Sequence, residues 1–300
     1  MVAEGGLNLG VDFTGGRSYV VSFQEPVTPS RIEVALEESF EGAGTEVKTF
    51  GANNVIKVTT SYQVEDESEQ ADSLVRNTMI RSITGLTNLE YVQDDGDINE
   101  STFSISSSSK VGATIADDIK TASMEAMIIA MIVIFLYILI RFKKWQFSTG
   151  AIIAVIHDTL FVLAALAIAK LFGKSFEIDQ VFIGAMLTII GYSINDTVVV
   201  FDRIRENLEL RPSSDLAKTF NLSINDTISR TLITSATTLF VVLILLVFGG
   251  EVLRGFSFAL FIGIIVGTYS SIFIASPVAV DLLVRSEAKK EGSLEDKAKK

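Results

Sequence analysis

Hydrophobic positions along this chain follow two rhythms. From residue 5 to about residue 118 they alternate or recur in short bursts, and beyond residue 120 they merge into long runs. In the first part, Tyr19, Val21 and Phe23 alternate with Ser18, Val20 and Ser22 as in a half-buried strand. A helix opens near Thr28 or Pro29, with Ile32, Ala35, Leu36 and Phe40 as its apolar face. Residues 47–50 and 55–60 predict two strands around a Gly51-Ala52-Asn53-Asn54 turn. Ala71, Leu74, Val75, Met79 and Ile83 line a second helix that stops at Gly85, and residues 102–106 make a last strand. The order β-α-β-β-α-β predicts a ferredoxin-like α+β domain over residues 1–118, two helices on one face of an antiparallel sheet.

The second part predicts an α-helical polytopic membrane bundle over residues 119–285. Its apolar runs, about 122–141, 147–169, 180–202, 231–249 and 255–282, approach or exceed the ~20 residues that cross a bilayer. A polar segment, 203–230, separates the third from the fourth, and a charged tail occupies 286–300.

Charge sharpens this division. The 300 residues are 48% hydrophobic yet carry a net charge of −11. Residues 1–120 hold 20 of the 36 acids and 8 of the 25 Lys and Arg, a net of −12, so the acidity belongs to the first domain. Basic residues cluster at Arg141, Lys143 and Lys144, through Arg203, Arg205, Arg211, Lys218 and Arg230, and in the tail at Arg285, Lys289, Lys290, Lys297, Lys299 and Lys300. By the positive-inside rule these segments are cytoplasmic, and five spans then place the N-terminal domain outside. No apolar span precedes residue 5, so a further span upstream is expected, either cut away or contained in a longer chain. Cysteine is absent, which suits an extracytoplasmic domain without disulfides.

Within the spans a few polar residues invite chemistry. Asp196 lies about 10 Å inside the boundary marked by Asp202 and Arg203, at 1.5 Å per residue. An unpaired carboxylate there costs several kcal/mol, so it must face protein or water or be protonated, and intramembrane acids mark ion paths. Tyr192 and Ser193 share its side at helical spacing, and Arg203 follows at i+7. Gly184, Thr188, Gly191 and Asn195 form a separate small-residue stripe suited to close helix packing. His157 and Asp158 sit near mid-bilayer, but adjacent helix positions diverge by ~100°, so the two are not expected to face one path. His157 reads as an interhelical hydrogen-bonding residue or a proton relay, and Asp158 as structural or functional. Arg230, Thr234 and Thr237 form one face of the next span, beside Thr231, Ser235 and Thr238. The last span carries Gly263-x-x-x-Gly267 and a kinking Pro277.

In the first domain, Asp12-Phe13-Thr14-Gly15-Gly16 reads as a turn or bulge that needs glycine, since no following Lys-Ser/Thr makes it a phosphate loop. The acids between Glu65 and Asp72 read as the solvated start of the second helix. The pentapeptide SINDT occurs at 193–197 and again at 223–227, where Asp226 stands at i,i+4 to Arg230. Neither a nucleophile triad nor a metal-ligand cluster is evident, so neither an enzyme nor a cofactor is expected.

Residues 8–16, Val111-Gly112, Ile156-His157-Asp158, residues 190–197 running on to 201–207, and residues 229–235 together resemble the SecF proteins of the SecD/SecF export family, within the resistance-nodulation-division superfamily. The resemblance implies a multi-pass subunit of the bacterial inner membrane with six spans, five of them in this chain. It also implies partnership with SecD, the Sec translocon, exported unfolded polypeptides and membrane lipid, not nucleic acid. The expected task is to use a gradient of H⁺ or Na⁺ to promote translocation, with Asp196 as the intramembrane acid and Arg230 as its basic partner. A superfamily exporter of a small hydrophobic substrate is the second reading, and a passive scaffold a third.

Overall fold

The computed structural model describes residues 8–93, 98–172, 174, 176–210 and 215–298; Arg211, Lys299 and Lys300, read above as parts of basic segments, lie outside them. The contacts divide the chain into a sheet unit, Asn8–Ser123 with Glu177–Gln180, and a helical unit that includes Met124–Phe176 and the residues from Val181 onward.

The sheet unit begins with β1 (Asn8–Leu9), a single helical turn α1 (Val11–Thr14) and β2 (Gly16–Phe23). There follow α2 (Pro29–Ser39), β3 (Thr45–Phe50), β4 (Ala52–Thr60), α3 (Glu69–Thr87), β5 (Glu90–Val92) and β6 (Thr102–Val111). Five strands form one sheet in the order β3-β4-β2-β6-β5, antiparallel except for β5 beside β6. Tyr19, Val21 and Phe23 point to one face of β2 and meet Ile32, Leu36 and Phe40 of α2 and Val75, Met79 and Ile83 of α3 in a single core. Period-2 and period-3.6 patterns therefore converge on the same buried layer.

Three boundaries differ from the sequence expectation, each for a local reason. Helix α3 runs past Gly85 to Thr87 and ends where Asn88 takes the left-handed conformation, φ 59°. One helical glycine costs only about 1 kcal/mol, and Leu86 beyond it packs on the core. The turn before β4 shrinks to Gly51, φ 80°, because Asn54 enters the strand and its Nδ2 donates to Phe23 O at 2.7 Å. Strand β6 continues through the serines to Val111, paired with β2 along its length.

Arg17 ties this unit together. Only 2% exposed, it donates through Nε and Nη2 to Asp72 Oδ1, through Nη1 to Tyr62 O and Gln63 O, and through Nη2 also to Asp66 O. All five guanidinium N–H groups thus have acceptors, as burial of this charge demands. The acids of the 65–72 stretch are only partly a solvated helix start, since Asp72 is a partner of Arg17 and Lys110.

A second sheet pairs β1 in parallel with β7 (Glu177–Ile178). Two-residue strands have no readable period, so the sequence pattern missed them. What holds β7 is electrostatic. Lys48 and Lys57 stand directly opposite each other on β3 and β4, a repulsive arrangement. Glu177 resolves it, with Oε2 2.6 Å from Lys57 Nζ and Oε1 3.2 Å from Lys48 Nζ. Burial alone would raise the Glu177 carboxyl, but the two lysines together hold it below its usual range.

The helical unit contains α5 (Trp145–Leu171), α6 (Gln180–Leu210, its first residue in the sheet unit), α7 (Leu216–Phe248), α8 (Gly250–Ser270) and α9 (Ser276–Ala298), preceded by α4 (Ala113–Phe142), which leaves the sheet. A π-helical turn, Ser271–Ala275, joins α8 to α9 just before Pro277, whose missing N–H cannot continue the α-helical ladder. Among the described residues five helices, with α8 to α9 counted as one, are long and apolar enough to cross a membrane. Gly263 and Gly267 of α8 admit Ile189 and Ser193 of α6: a Cβ at Gly263 would lie 2.5 Å from Ile189 Cγ1. Gly184 and Gly191 differ from the packing expectation. They are exposed with nothing within 4 Å of a Cβ position, so among the described residues no other helix approaches closely at either glycine.

Because the Glu177 pKa is lowered on folding, its contribution is present above about pH 4 and lost as pH falls through the lowered folded value. In hydrogen exchange corrected for intrinsic rate, β1 and β7 amides should lose protection on acidification in the native chain. In Glu177→Gln they should already be weakly protected at pH 7; native-like protection of that variant would show that the lysine pairs contribute nothing.

Candidate functional site

On the buried side of α6, Ser193 and Asp196 lie one turn apart, with Thr197 beside them, among Ile189, Ile190, Val200 and Phe201. Asp196 is 2% exposed. Its Oδ2 accepts from Ser235 Oγ of α7 at 3.2 Å and from Thr268 Oγ1 of α8 at 3.3 Å. Those two hydroxyls also lie 2.7 Å from each other, and Thr268 Oγ1 is 2.9 Å from Ile264 O. A hydroxyl has one proton, so Thr268 cannot satisfy all three acceptors at once. Tyr192 extends the group, its OH reaching Ser235 Oγ at 3.5 Å and Thr238 Oγ1 at 3.3 Å.

Ser193 serves a different acid. It donates to Asp158 Oδ2 of α5 at 2.6 Å, and Ser270 of α8 donates to the same oxygen at 2.7 Å. Asp158 is 1% exposed. Its other oxygen stands 3.1 Å from His157 Nδ1, although the two residues sit on different sides of the helix, the histidine side chain 34% and the aspartate 2% exposed. The ~100° between them is bridged because the side chains bend toward one another, His157 resting between Phe161 and Tyr269. Two acids are thus held by hydroxyls at two levels of one helix interface.

Arg230 is not brought to Asp196. It is exposed and lines a cavity of about 480 Å³ with Asp202, Arg203, Glu206 and Asp226. Thr234 is likewise outside the cluster, its hydroxyl donating back to Arg230 O or Thr231 O, and Asn195 is exposed. The cause is helix direction, since side chains lean toward their N-termini and α6 and α7 are joined by a short connection at this end. Asp226 pairs with Arg203 at 2.7 Å, and Asp202 pairs with Arg141 at 2.9 Å. Ser235 was visible in the sequence only as part of a polar face, while Thr268 and Ser270 were missed. Their one signal is the run of four hydroxyl-bearing residues, Thr268 to Ser271, directly after Gly267 in an otherwise apolar stretch.

The profile described as "Protein export membrane protein SecD/SecF, C-terminal" matches residues 92–285, and the "SecD/SecF GG Motif" matches residues 5–27. The chain belongs to the SecD/SecF family. Protein translocase subunit SecF of Rhodothermus marinus is 44% identical over 287 residues, 95% of this chain and 86% of that protein. The subunit SecF of Vibrio alginolyticus is 36% identical over 281 residues, 94% of this chain and 82% of that protein. A crystal structure of SecDF, a translocon-associated membrane protein from Thermus thermophilus, superposes with a TM-score of 0.74 at 34% identity, covering 94% of this chain and 35% of that one. The chain is a SecF-type subunit for Sec protein export, spanning about a third of the SecDF polypeptide.

The family's glycine pair has a clear physical basis here. Gly15 and Gly16 have φ of 68° and 118°, and a Cβ on Gly16 would lie 2.3 Å from Thr60 O. The turn they permit lets Asp12 Oδ2 accept from Gln180 N–H at 2.9 Å, capping the first turn of α6. Thr14 closes the same turn by donating to Gly10 O, and Phe13 N–H does so at 3.0 Å. These SecD/SecF signature residues therefore organise the start of the helix that carries Asp196.

Separate hydroxyl shells predict separable spectra. In difference infrared spectra of the full chain, Thr268→Val should move the carboxyl band that vanishes in Asp196→Asn and leave the band of Asp158. Ser193→Ala should do the reverse; a variant that moves both bands equally would show a single coupled site.

Proposed function

We infer that this SecF-type subunit works with SecD beside the Sec translocon and uses a transmembrane ion gradient to promote translocation or release of exported polypeptides. The observation that carries this reading is Asp196, buried in an apolar helix with only hydroxyls as its hydrogen-bond partners among the described residues. A carboxylate so placed is costly to ionise, and its protonation state should decide how three helices engage. When Asp196 is ionised, Ser235 and Thr268 donate to it. When it is protonated, it becomes a donor itself, and Thr268 is released to Ile264 O. The α6–α7–α8 contact thus has two hydrogen-bond patterns selected by one proton.

The coupling ion is H⁺ on this reading, and Na⁺ would use the same oxygens. A unit charge crossing 100 mV releases about 2.3 kcal/mol, which shifts a two-state equilibrium by almost fifty-fold. The sheet unit is read as a ferredoxin-like extracytoplasmic domain: its strand order and its two helices packed on one face support the fold, and the basic α4–α5 turn and tail support a cytoplasmic C-terminus by the positive-inside rule. This arrangement belongs in the bacterial inner membrane. The SecF relatives at 36–44% identity leave the small-molecule exporter without support.

Asp196→Asn should insert and fold but lose all gradient-dependent stimulation of export in reconstituted vesicles. Collapsing the H⁺ and Na⁺ gradients separately in the native protein identifies the ion. Full stimulation by Asp196→Asn, or stimulation that survives collapse of both gradients, would refute the mechanism.

A further inference from the structure

The turn between α4 and α5 holds a second site, unconnected with the buried acids. Phe142 ends one membrane helix and Trp145 begins the next, with Lys143 reversing the chain in the left-handed conformation, φ 57°. A cavity of about 310 Å³ opens here, lined by Arg141, Lys143, Lys144 and Arg205 around Phe142 and Phe147, with Glu209 as its one acid. Arg141 and Arg205 share Asp202, at 2.9 and 3.3 Å, so their charges are partly answered. Lys143 and Lys144 form no ion pair among the described residues and are exposed. The lining is therefore net positive.

Two further observations point to the ligand's chemistry. Arg205 lies over the Phe142 ring at 5.9 Å, and its Nε stands 3.8 Å from Glu209 Oε1, beyond hydrogen-bond reach, so that N–H has no hydrogen-bond acceptor among the described residues. A half-exposed guanidinium with one donor open suits an oxygen-rich anion. Trp145, the one tryptophan of the chain, is 51% exposed beside the cavity, where an indole suits the boundary between hydrocarbon and headgroups. Just before the turn, Tyr137 and Ile140 expose apolar surface that an acyl chain can cover.

We propose that this cavity binds the phosphate headgroup of an anionic phospholipid. The phosphodiester oxygens accept from Lys143, Lys144 and the Arg205 guanidinium, and the acyl chains run against the exposed side of α4. A soluble phosphate offers the same oxygens but no apolar part, so Trp145, Tyr137 and Ile140 favour the lipid. The site stands apart from the ion-coupling reading and holds whichever ion, if any, Asp196 carries. Its effect is to join the α4–α5 turn to the far end of α6 through Arg205.

The test uses the full-length protein purified in detergent and titrated with phosphatidylglycerol, phosphatidylcholine or inorganic phosphate. Phosphatidylglycerol should raise Tm saturably by about 2–4 °C, with little effect from the other two. Lys143→Asn with Lys144→Gln, chosen so that Asn keeps the left-handed turn, should lose that shift, while Arg285→Gln, at an arginine paired with Asp281 and not part of the cavity lining, keeps it. Three results would each overturn the proposal: an undiminished shift in the lysine variant, an equal loss in Arg285→Gln, or the same stabilisation by inorganic phosphate.

Discussion

The helical unit is organised by the cost of placing carboxylates in an apolar medium. Asp158 and Asp196 lie on successive helices, both essentially without solvent, and neither has a lysine or arginine beside it among the described residues. Water is scarce at such a depth, so neighbouring helices must supply the donors. Ser193, Ser235, Thr268 and Ser270 do so from α6, α7 and α8. Helix α8 is the common element, serving one acid through Thr268 and the other through Ser270, and its distance from α6 is consequently constrained to hydrogen-bond length.

That constraint explains the glycines of α8. A hydroxyl bond of 2.6–3.3 Å across an interface requires close backbones, and any Cβ at Gly263 or Gly267 would meet Ile189 or Ser193 first. Small residues thus act here as spacers for polar chemistry, beyond their usual role in packing. Gly150 of α5 likewise faces Ala275 O, where a Cβ would lie 2.5 Å away, at the π-turn that follows Ser270. The widened turn sits next to the serine that holds Asp158, and Ser276 Oγ satisfies Ser271 O there at 2.9 Å. Polar satisfaction and helix irregularity are parts of one local solution.

Periodicity made the major elements legible because burial imposes it: the alternation of Tyr19, Val21 and Phe23, and the helical spacing of Val75, Met79 and Ile83, belong to side chains of one core. Asp196 was legible for the opposite reason, as a charge where none is expected. Its donors were not, because a serine or threonine in an apolar helix looks the same whether it bonds its own backbone, as Thr234 does, or reaches across to an acid, as Ser235 does. Which occurs depends on helix rotation, a tertiary property. The two SINDT copies make the same point. In both, serine and aspartate lie three residues apart on one helix side and bond neighbouring helices. Ser193 and Asp196 find hydroxyl and carboxyl groups, whereas Ser223 accepts from Asn207 and Asp226 takes the guanidinium of Arg203. Identical local sequence acquires different chemistry from the facing helix.

The start of α6 carries the argument further. Its first amide is capped by Asp12, and the two residues of β7 before it are held by β1 and by the Lys48–Glu177–Lys57 group. These contacts lie within the sheet unit, and α6 then continues without interruption for 31 residues. Sixteen residues separate Gln180 from Asp196, roughly 24 Å at 1.5 Å per residue. The glycine pair that lets Asp12 reach this cap therefore fixes the first turn of the helix whose later turns carry Asp196.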